Sequence, residues 1–178
     1  TRISGQMFES SIQAGLIYAG VDVIIAGCIP TPAVAYLTKS MRLTAGVVIS
    51  ASHNSFHDNG IKFFDEKGNK LPDEIEKQIE SFFNNFDFSY KSYILGKVNH
   101  LNDALGRYVE FCKGTFPNHL SLSGFHIVVD AAHGSSGKSI ESVLVELGAK
   151  VTSIAISPNG TNINENVGTT FPQNISVA

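Results

Sequence analysis

A polar segment that directly follows a short apolar run carries the residues best suited to chemistry. The run is Gly-Val-Val-Ile at residues 46–49, and the residues that follow it include Ser50, Ser52, His53 and Asn54. A serine hydroxyl is a weak nucleophile at neutral pH and needs a base, a cation or a metal beside it. Ser52 is the candidate nucleophile or phosphate carrier of this segment.

Lys62 and His53 are the candidate donors of positive charge to that serine. Asn-Gly at residues 59–60 predicts a turn that brings Lys62 back toward Ser52. A polar loop of this composition is also typical of turns whose side chains bond their own backbone. A metal site at His53, His57 and Asp58 is the weaker alternative, since no tight set of ligands stands out.

Short apolar runs and helical periodicities predict the elements that position this segment. Residues 45–50 are predicted to be a buried strand, and ligands of α/β sheets bind at the carboxyl ends of such strands. Further strands are predicted at 21–26, 61–65, 125–130 and 150–156, and helices at 5–19, 33–39, 103–114, 140–147 and from 73 onward. Residues 84–101 give no clear signal. Core or covering positions are expected for Phe63, Phe64, Phe82, Phe83, Phe86 and Phe88.

The order of these elements predicts an α/β fold in two parts. Residues 1–120 are predicted to form a mixed sheet flanked by helices, and residues 121–178 the start of a second, βαβ domain with parallel strands. The boundary is placed near residues 117–123. We expect the chain to be a fragment, since it begins at Thr1 just before a helix and ends at Ala178 without a closing element.

Composition excludes several classes of protein. The 178 residues are 43% hydrophobic and 16% charged, which excludes a disordered chain. A net charge of -3 argues against a nucleic-acid partner, and no apolar run approaches the roughly 18 residues of a membrane span. Cys28 and Cys112 do not make a disulfide framework and no signal peptide is visible, so we expect a cytoplasmic protein.

Five segments in order resemble the α-D-phosphohexomutase superfamily. ISASHN at 49–54 followed by DNGIKFF at 58–64 is similar to its phosphoserine loop. The remaining segments are TRISG at 1–5, PTPAVAYLT at 30–38, GRYVEFC at 106–112 and PNGTNIN at 158–164. Within the superfamily they are most similar to the bacterial branch that acts on glucosamine phosphates, and the resemblance extends to about residue 169.

The resemblance implies a role for each residue of the loop. Ser52 matches the serine that is kept phosphorylated, and its phosphate oxygen would help to bind a catalytic Mg2+ whose other ligands lie outside this chain. Lys62 matches a lysine near the transferring phosphate, His53 and Asn54 shape the loop, and Ser50 is their neighbour. Ser55 stands where the superfamily usually has proline, which would loosen the loop.

The implied activity is an intramolecular phosphotransfer, in the isomerase class. The full-length protein would interconvert glucosamine 6-phosphate and glucosamine 1-phosphate, upstream of UDP-N-acetylglucosamine and cell-wall synthesis. Glucosamine 1,6-bisphosphate or a related sugar bisphosphate would serve as primer, the full-length protein could form a homodimer, and the fragment alone is expected to be inactive. A phosphomannomutase or phosphoglucomutase is the alternative within the superfamily.

A nucleotide-binding domain is the alternative from another class. AHGSSGKS at residues 132–139 nearly matches the P-loop pattern, with Ala132 in place of its first glycine and with a predicted strand before it and a helix after it. In this interpretation Lys138 would reach the phosphates and Ser139 would hold Mg2+. Only 39 residues follow Ser139, which is few for a P-loop core.

Overall fold

The computed structural model describes residues 1–85 and 93–176, and over these ranges the chain has an α/β fold. The elements in chain order are α1 (Gly5–Tyr18), β1 (Val23–Ile25), α2 (Thr31–Ser40), β2 (Gly46–Ile49), β3 (Ile61–Phe64), α3 (Asp73–Asn84), β4 (Val98–His100), α4 (Ala104–Gly114), β5 (His126–Asp130), α5 (Gly137–Glu146) and β6 (Lys150–Ile154). Two short 3-10 turns follow, Gly168–Thr170 and Pro172–Asn174. None of the helices in the described ranges is both long and apolar enough to cross a membrane.

Parallel and antiparallel strand pairs both occur, as predicted for an α/β fold with mixed pairing. Strand β1 pairs with β4 in parallel, β2 with β3 in antiparallel, and β5 with β6 in parallel. The described strands thus make three two-stranded sheets; they are not hydrogen-bonded into one mixed sheet. Strand β4 falls in the stretch 84–101, where its three residues Val-Asn-His are too short to show a period of two.

The predicted βαβ unit is present at the end of the chain. Strands β5 and β6 pair in register from His126 opposite Lys150 to Asp130 opposite Ile154, and α5 connects them. Both carboxyl ends therefore lie at one edge of this sheet, where Asp130 ends β5. The predicted boundary at 117–123 falls in the connection between α4 and β5; the division into domains stays a prediction.

A small apolar core joins α2 to α4. Ile29, Ala33, Leu37 and Ala104 are buried together. Pro32 occupies the first turn of α2, where its missing N–H costs no helical hydrogen bond. Over this core the rings of Tyr36 and Phe111 stack with their centroids 4.1 Å apart. The core packs α2 onto α4, while the chain after α2 continues into the β2–β3 hairpin.

A core position, one of the two expected for the phenylalanines, is confirmed for only some of them. Phe64 is buried and Phe63 half-buried in β3, but Phe82 and Phe83 are 74% and 83% exposed. Helix α3 has no buried residue, because no described element packs closely over its apolar side. Phe86 and Phe88 lie outside the described residues.

Replacing Leu37 by alanine is expected to lower the free energy of unfolding by about 2–5 kcal/mol, because the cavity left between α2 and α4 cannot fully collapse. Leu37 is 3% exposed, whereas Leu120 is 54% exposed and serves as the matched control. Leu120→Ala is expected to change the free energy by no more than about 0.5 kcal/mol. Urea unfolding measures both; equal effects would contradict a core centred on Leu37.

Candidate functional site

The loop of residues 50–60 joins β2 to β3 and is closed at its base by the hairpin. Ser50 N donates to Gly60 O at 2.8 Å, one step beyond the pairing of Ile49 with Ile61. Just inside this base, Ser52 N donates to Ser50 Oγ at 3.1 Å, so that the Ser50 side chain fixes the turn that leads to Ser52. The antiparallel pairing therefore presents the loop at the carboxyl end of β2, as predicted.

Ser52 has a left-handed backbone conformation, with φ of 54°. A residue with a side chain pays roughly 1–2 kcal/mol for this conformation, because its Cβ crowds the following carbonyl oxygen. The side chain is exposed to solvent. Such strain persists only where the surroundings hold it, and it is concentrated at functional sites.

Arg2 and Asn164 hold the loop from two sides. Arg2 Nη2 donates to Ser52 O at 3.0 Å and to Asn54 O at 2.9 Å. Asn164 Nδ2 donates to the same two oxygens, at 3.1 Å and 2.9 Å. Two NH2 groups thus meet two carbonyl oxygens in four hydrogen bonds, an arrangement that we call the carbonyl clamp. Each donor group uses both hydrogens and each oxygen both lone pairs.

Arg2 is buried beneath the loop, with 7% of its surface exposed. Burial lowers the pKa of its guanidinium, and the negative charge of Asp58 acts in the opposite direction. Arginine nevertheless remains a cation at physiological pH. Its Nε is buried and has no hydrogen-bond partner among the described residues. Arg2 therefore places a fixed positive charge within 3.0 Å of the Ser52 backbone.

Side chains within the loop add further anchors. Asn54 Nδ2 donates to Asp58 Oδ2 at 3.1 Å. Asn59 Nδ2 donates to the hydroxyl of Ser4 at 3.0 Å, which ties the end of the loop to the start of α1. The loop is thus bound to the start of α1, to Arg2 just before that helix and to the distant segment around Asn164.

The structure brings together most, but not all, of the residues singled out in the sequence. Ser50, Ser52, His53 and Asn54 lie in the loop, and the last three are exposed. Lys62 lies on β3 opposite Val48, half-buried. Its side chain makes no hydrogen bond or ion pair to the loop within the described part of the chain. The approach of Lys62 to Ser52 stays a prediction.

The described residues do not by themselves make a magnesium site. Nowhere in residues 1–85 and 93–176 do three or more His, Cys, Asp or Glu side chains meet in a group that could hold a metal ion. An oxygen on Ser52 is a suitable hard ligand for Mg2+, but this ion needs several further oxygen ligands. Any Mg2+ at Ser52 would therefore need further ligands from outside the described residues.

The P-loop-like segment has most of its first amides already occupied. Ala132 N donates to Asp130 Oδ1, His133 N to Ala155 O and Gly134 N to Ala131 O. Ser139 is buried, and its hydroxyl donates to Ser136 O at 2.9 Å. A phosphate cradle needs free backbone N–H groups and an accessible hydroxyl. The geometry does not favour nucleotide binding here.

The same segment instead supports the carbonyl clamp. Asp130 Oδ2 accepts from Gly168 N at 2.7 Å while Oδ1 accepts from Ala132 N at 2.8 Å. Ala132 O in turn accepts from Asn164 N at 3.0 Å. A continuous series of hydrogen bonds therefore runs from the end of β5 to the backbone of Ser52.

Sequence reasoning did not find the roles of Arg2, Asn164 and Asp130. Arg2 and Asn164 lie 50 and 112 residues from Ser52, and contacts over such distances leave no periodic signal. Two signals were available. Arg2 and Asn164 lie in TRISG and PNGTNIN, two of the segments that carry the resemblance, and PNGTNIN is dense in asparagine, which tolerates left-handed backbone and bonds to nearby backbone groups.

Comparison with known proteins gives consistent results. Residues 1–90 match the family model described as phosphoglucomutase/phosphomannomutase, alpha/beta/alpha domain I. A phosphoglucosamine mutase of Bordetella petrii is 54% identical over 178 residues, all of this chain and 40% of that protein. One of Nitrosospira multiformis is 58% identical over 170 residues, 96% of this chain and 37% of that protein. The chain thus spans about two fifths of the length of these relatives.

Solved structures with lower identity share the fold. A putative phosphomannomutase from Thermus thermophilus superposes with a TM-score of 0.79 over 99% of this chain and 40% of that chain, at 23% identity. A phosphoglucomutase/phosphomannomutase family protein from Burkholderia thailandensis gives 0.72 over 89% and 35%, at 24% identity.

Asp130→Asn is expected to lower the free energy of unfolding by about 1.5–3 kcal/mol, because a carboxamide has one acceptor oxygen where two backbone N–H groups need partners. Asp103→Asn is the matched control, since the Asp103 carboxylate pairs with the exposed side chain of Arg107. The control is expected to cost less than about 1 kcal/mol. Urea unfolding compares the two, and an equal loss would show that the bonds of Asp130 add no particular stability.

Proposed function

Because the chain belongs to the phosphoglucomutase/phosphomannomutase family, we propose that the full-length protein is a phosphoglucosamine mutase that interconverts glucosamine 6-phosphate and glucosamine 1-phosphate. Identity of 54–58% to proteins of that name over 96–100% of this chain supports the choice of sugar. The single observation that carries the chemistry is the exposed Ser52, held in a strained conformation by buried and distant side chains. A serine with no role beyond forming a turn would not need hydrogen bonds from Arg2 and Asn164 to hold its backbone.

In the proposed reaction Ser52 carries the phosphoryl group. The bond between phosphorus and Ser52 Oγ breaks as a bond forms to a free hydroxyl oxygen of the sugar monophosphate. The sugar hydroxyl loses its proton and Ser52 Oγ takes up a proton. The products are a sugar bisphosphate and dephosphorylated Ser52. The bisphosphate then reorients, and its other phosphate returns to Ser52. The net result moves phosphate between positions 6 and 1.

This chain contributes positioning and positive charge to that transfer. Phosphoryl transfer depends mainly on in-line placement and on neutralising the charge spread over the phosphate oxygens. Arg2 supplies a fixed charge beneath the loop, and we propose that His53 and Lys62 supply charge and hydrogen-bond donors from the loop and from β3. Asn54 and Ser50 shape the backbone around Ser52.

The proposal includes components that lie outside this chain. Mg2+ would bind an oxygen of phosphorylated Ser52 together with ligands elsewhere in the full-length protein, and would act there as a Lewis acid. A sugar bisphosphate would prime the serine. We propose a cytoplasmic location, since the charged sugar phosphates do not cross membranes, and a homodimer as the assembly to test by sedimentation.

Ser52→Ala is expected to lower the turnover rate by at least about 10³-fold, because the phosphoryl carrier is lost. The full-length protein is assayed with Mg2+, a sugar bisphosphate primer and the 6-phosphates of glucosamine, glucose and mannose in turn. Ser55→Ala is the control, since Ser55 is also exposed and lies in the same loop. Equal turnover in wild type and Ser52→Ala would refute the carrier, whereas preference for glucose or mannose would favour the phosphoglucomutase or phosphomannomutase alternative.

Ser50→Ala is expected to lower the turnover rate about 2- to 10-fold, the equivalent of one neutral hydrogen bond of about 0.5–1.5 kcal/mol. The Ser52 amide loses its acceptor in this variant. Ser50→Thr keeps the hydroxyl and is expected to retain most of the activity. Equal turnover rates in Ser50→Ala and Ser50→Thr would show that the hydroxyl at residue 50 does not fix the turn.

A further inference from the structure

The carbonyl clamp assigns a role in the reaction to a residue far from the serine loop in sequence. We propose that Asn164 is a positioning residue, which together with Arg2 fixes the Ser52 backbone for phosphoryl transfer. The inference rests on the proposed function of Ser52. Asn164 would touch neither substrate nor phosphate; it acts through the carbonyl oxygens of Ser52 and Asn54.

Arg2 alone supplies only two of the four hydrogen bonds of the clamp. Its Nη2 has two hydrogens and gives one to each carbonyl oxygen, so each oxygen keeps one lone pair unused. The carboxamide of Asn164 fills both remaining positions from the other side. A side chain with only one hydrogen to donate could serve one carbonyl at most. The clamp therefore calls for a group with two donor hydrogens at residue 164, which the primary amide of asparagine provides.

The clamp acts on backbone groups that determine where the serine oxygen lies. It holds the carbonyls of residues 52 and 54 together, on either side of His53. Ser52 has φ of 54°, so release of its carbonyl favours relaxation to a negative φ, which would swing the side chain away from its present direction. A displacement of about 1 Å at a reacting group can cost on the order of 10²-fold in rate.

Asn164 is itself firmly placed. Its backbone N–H donates to Ala132 O, and the preceding Ile163 is buried. It has φ of 58°, a conformation that asparagine tolerates better than most residues. The same segment also reaches the residues beside Arg2, because Ile3 N donates to Gly160 O at 2.8 Å. Both halves of the clamp are therefore anchored to each other as well as to the loop.

The placement of Asn164 links the serine loop to the β5–α5–β6 unit. Asp130, at the end of β5, holds Ala132, and Ala132 holds Asn164. A displacement of this unit would therefore be transmitted to the Ser52 backbone by these hydrogen bonds. The expected signature of the clamp is therefore a fall in kcat, since it orients the phosphoryl carrier and makes no contact that would bind the sugar.

The test uses the full-length protein with Asn164→Asp, Asn164→Gly and the control Asn166→Asp. Asn166 has the same left-handed backbone, with φ of 54°, and is exposed two residues further along. Aspartate keeps the size of the side chain but has no hydrogens to donate; glycine removes it without backbone strain. The kcat and KM for glucosamine 6-phosphate, the midpoint of urea unfolding and the intact mass after priming with sugar bisphosphate are measured for each.

Both Asn164 variants are expected to lower kcat about 10- to 100-fold while KM changes less than about 3-fold, and Asn166→Asp is expected to stay near wild type. Asn164→Gly also loses two hydrogen bonds, so its unfolding midpoint is expected to fall modestly below that of the control while the protein stays folded under assay conditions. Wild-type turnover with phosphorylated Ser52, but an unchanged kcat in both Asn164 variants, would overturn the clamp and leave the proposed function intact. A rise in KM as large as the fall in kcat, together with a large loss of stability in both variants, would also overturn the clamp. Such a result would indicate a purely structural role for Asn164. A wild type that neither turns over nor takes up phosphate would refute the proposed function and the clamp with it.

Discussion

Four hydrogen bonds on two carbonyl oxygens hold the loop that contains Ser52 in place. Arg2 and Asn164 approach the Ser52 loop from segments at opposite ends of the chain and saturate the same acceptors. The side chains of the loop bond to Ser52 N, Asp58 and the Ser4 hydroxyl, whereas the carbonyl oxygens of Ser52 and Asn54 are held by residues distant in sequence. The burial of Arg2 and the hydrogen bonds of the β5–β6 edge both serve this arrangement.

Backbone strain marks the same region. Ser52, Ala132, His133 and Ala155 all have φ between 52° and 54°, although none is glycine. Each carries a cost of roughly 1–2 kcal/mol, which hydrogen bonds to neighbouring groups must offset. The bonds of Asp130, whose carboxylate accepts from Ala132 and Gly168, meet this requirement beside β5. Of these residues, Ala132 is linked to the Ser52 backbone through Asn164, which fits a site that needs fixed directions.

The sequence was informative where local rules decide the outcome. The apolar run at β2 and the helices α1, α2, α4 and α5 were predicted close to their observed bounds, because periodicity acts over a few residues. The turn predicted at Asn59-Gly60 is wrong, since Gly60 continues the β2–β3 pairing by accepting a hydrogen bond from Ser50 N. Strand β4 was missed because three residues show no pattern. A core position, one of the two expected for Phe82 and Phe83, is wrong, because an apolar stripe does not reveal whether a partner exists. The resemblance of the loop singled out Ser52 as the candidate carrier, which stays a prediction, whereas the clamp around it is visible only in the tertiary structure.

The central claim is that Ser52 itself carries the phosphoryl group, and the most direct measurement is to locate that group. The full-length protein is primed with a sugar bisphosphate, quenched and digested with trypsin, and the peptide of residues 43–62 is sequenced by fragmentation in the mass spectrometer. The peptide contains Ser50, Ser52 and Ser55, which the fragments distinguish. The account predicts one phosphate, on Ser52. Phosphate on Ser50 or Ser55, or a peptide that stays unmodified while the protein turns over substrate, would contradict it.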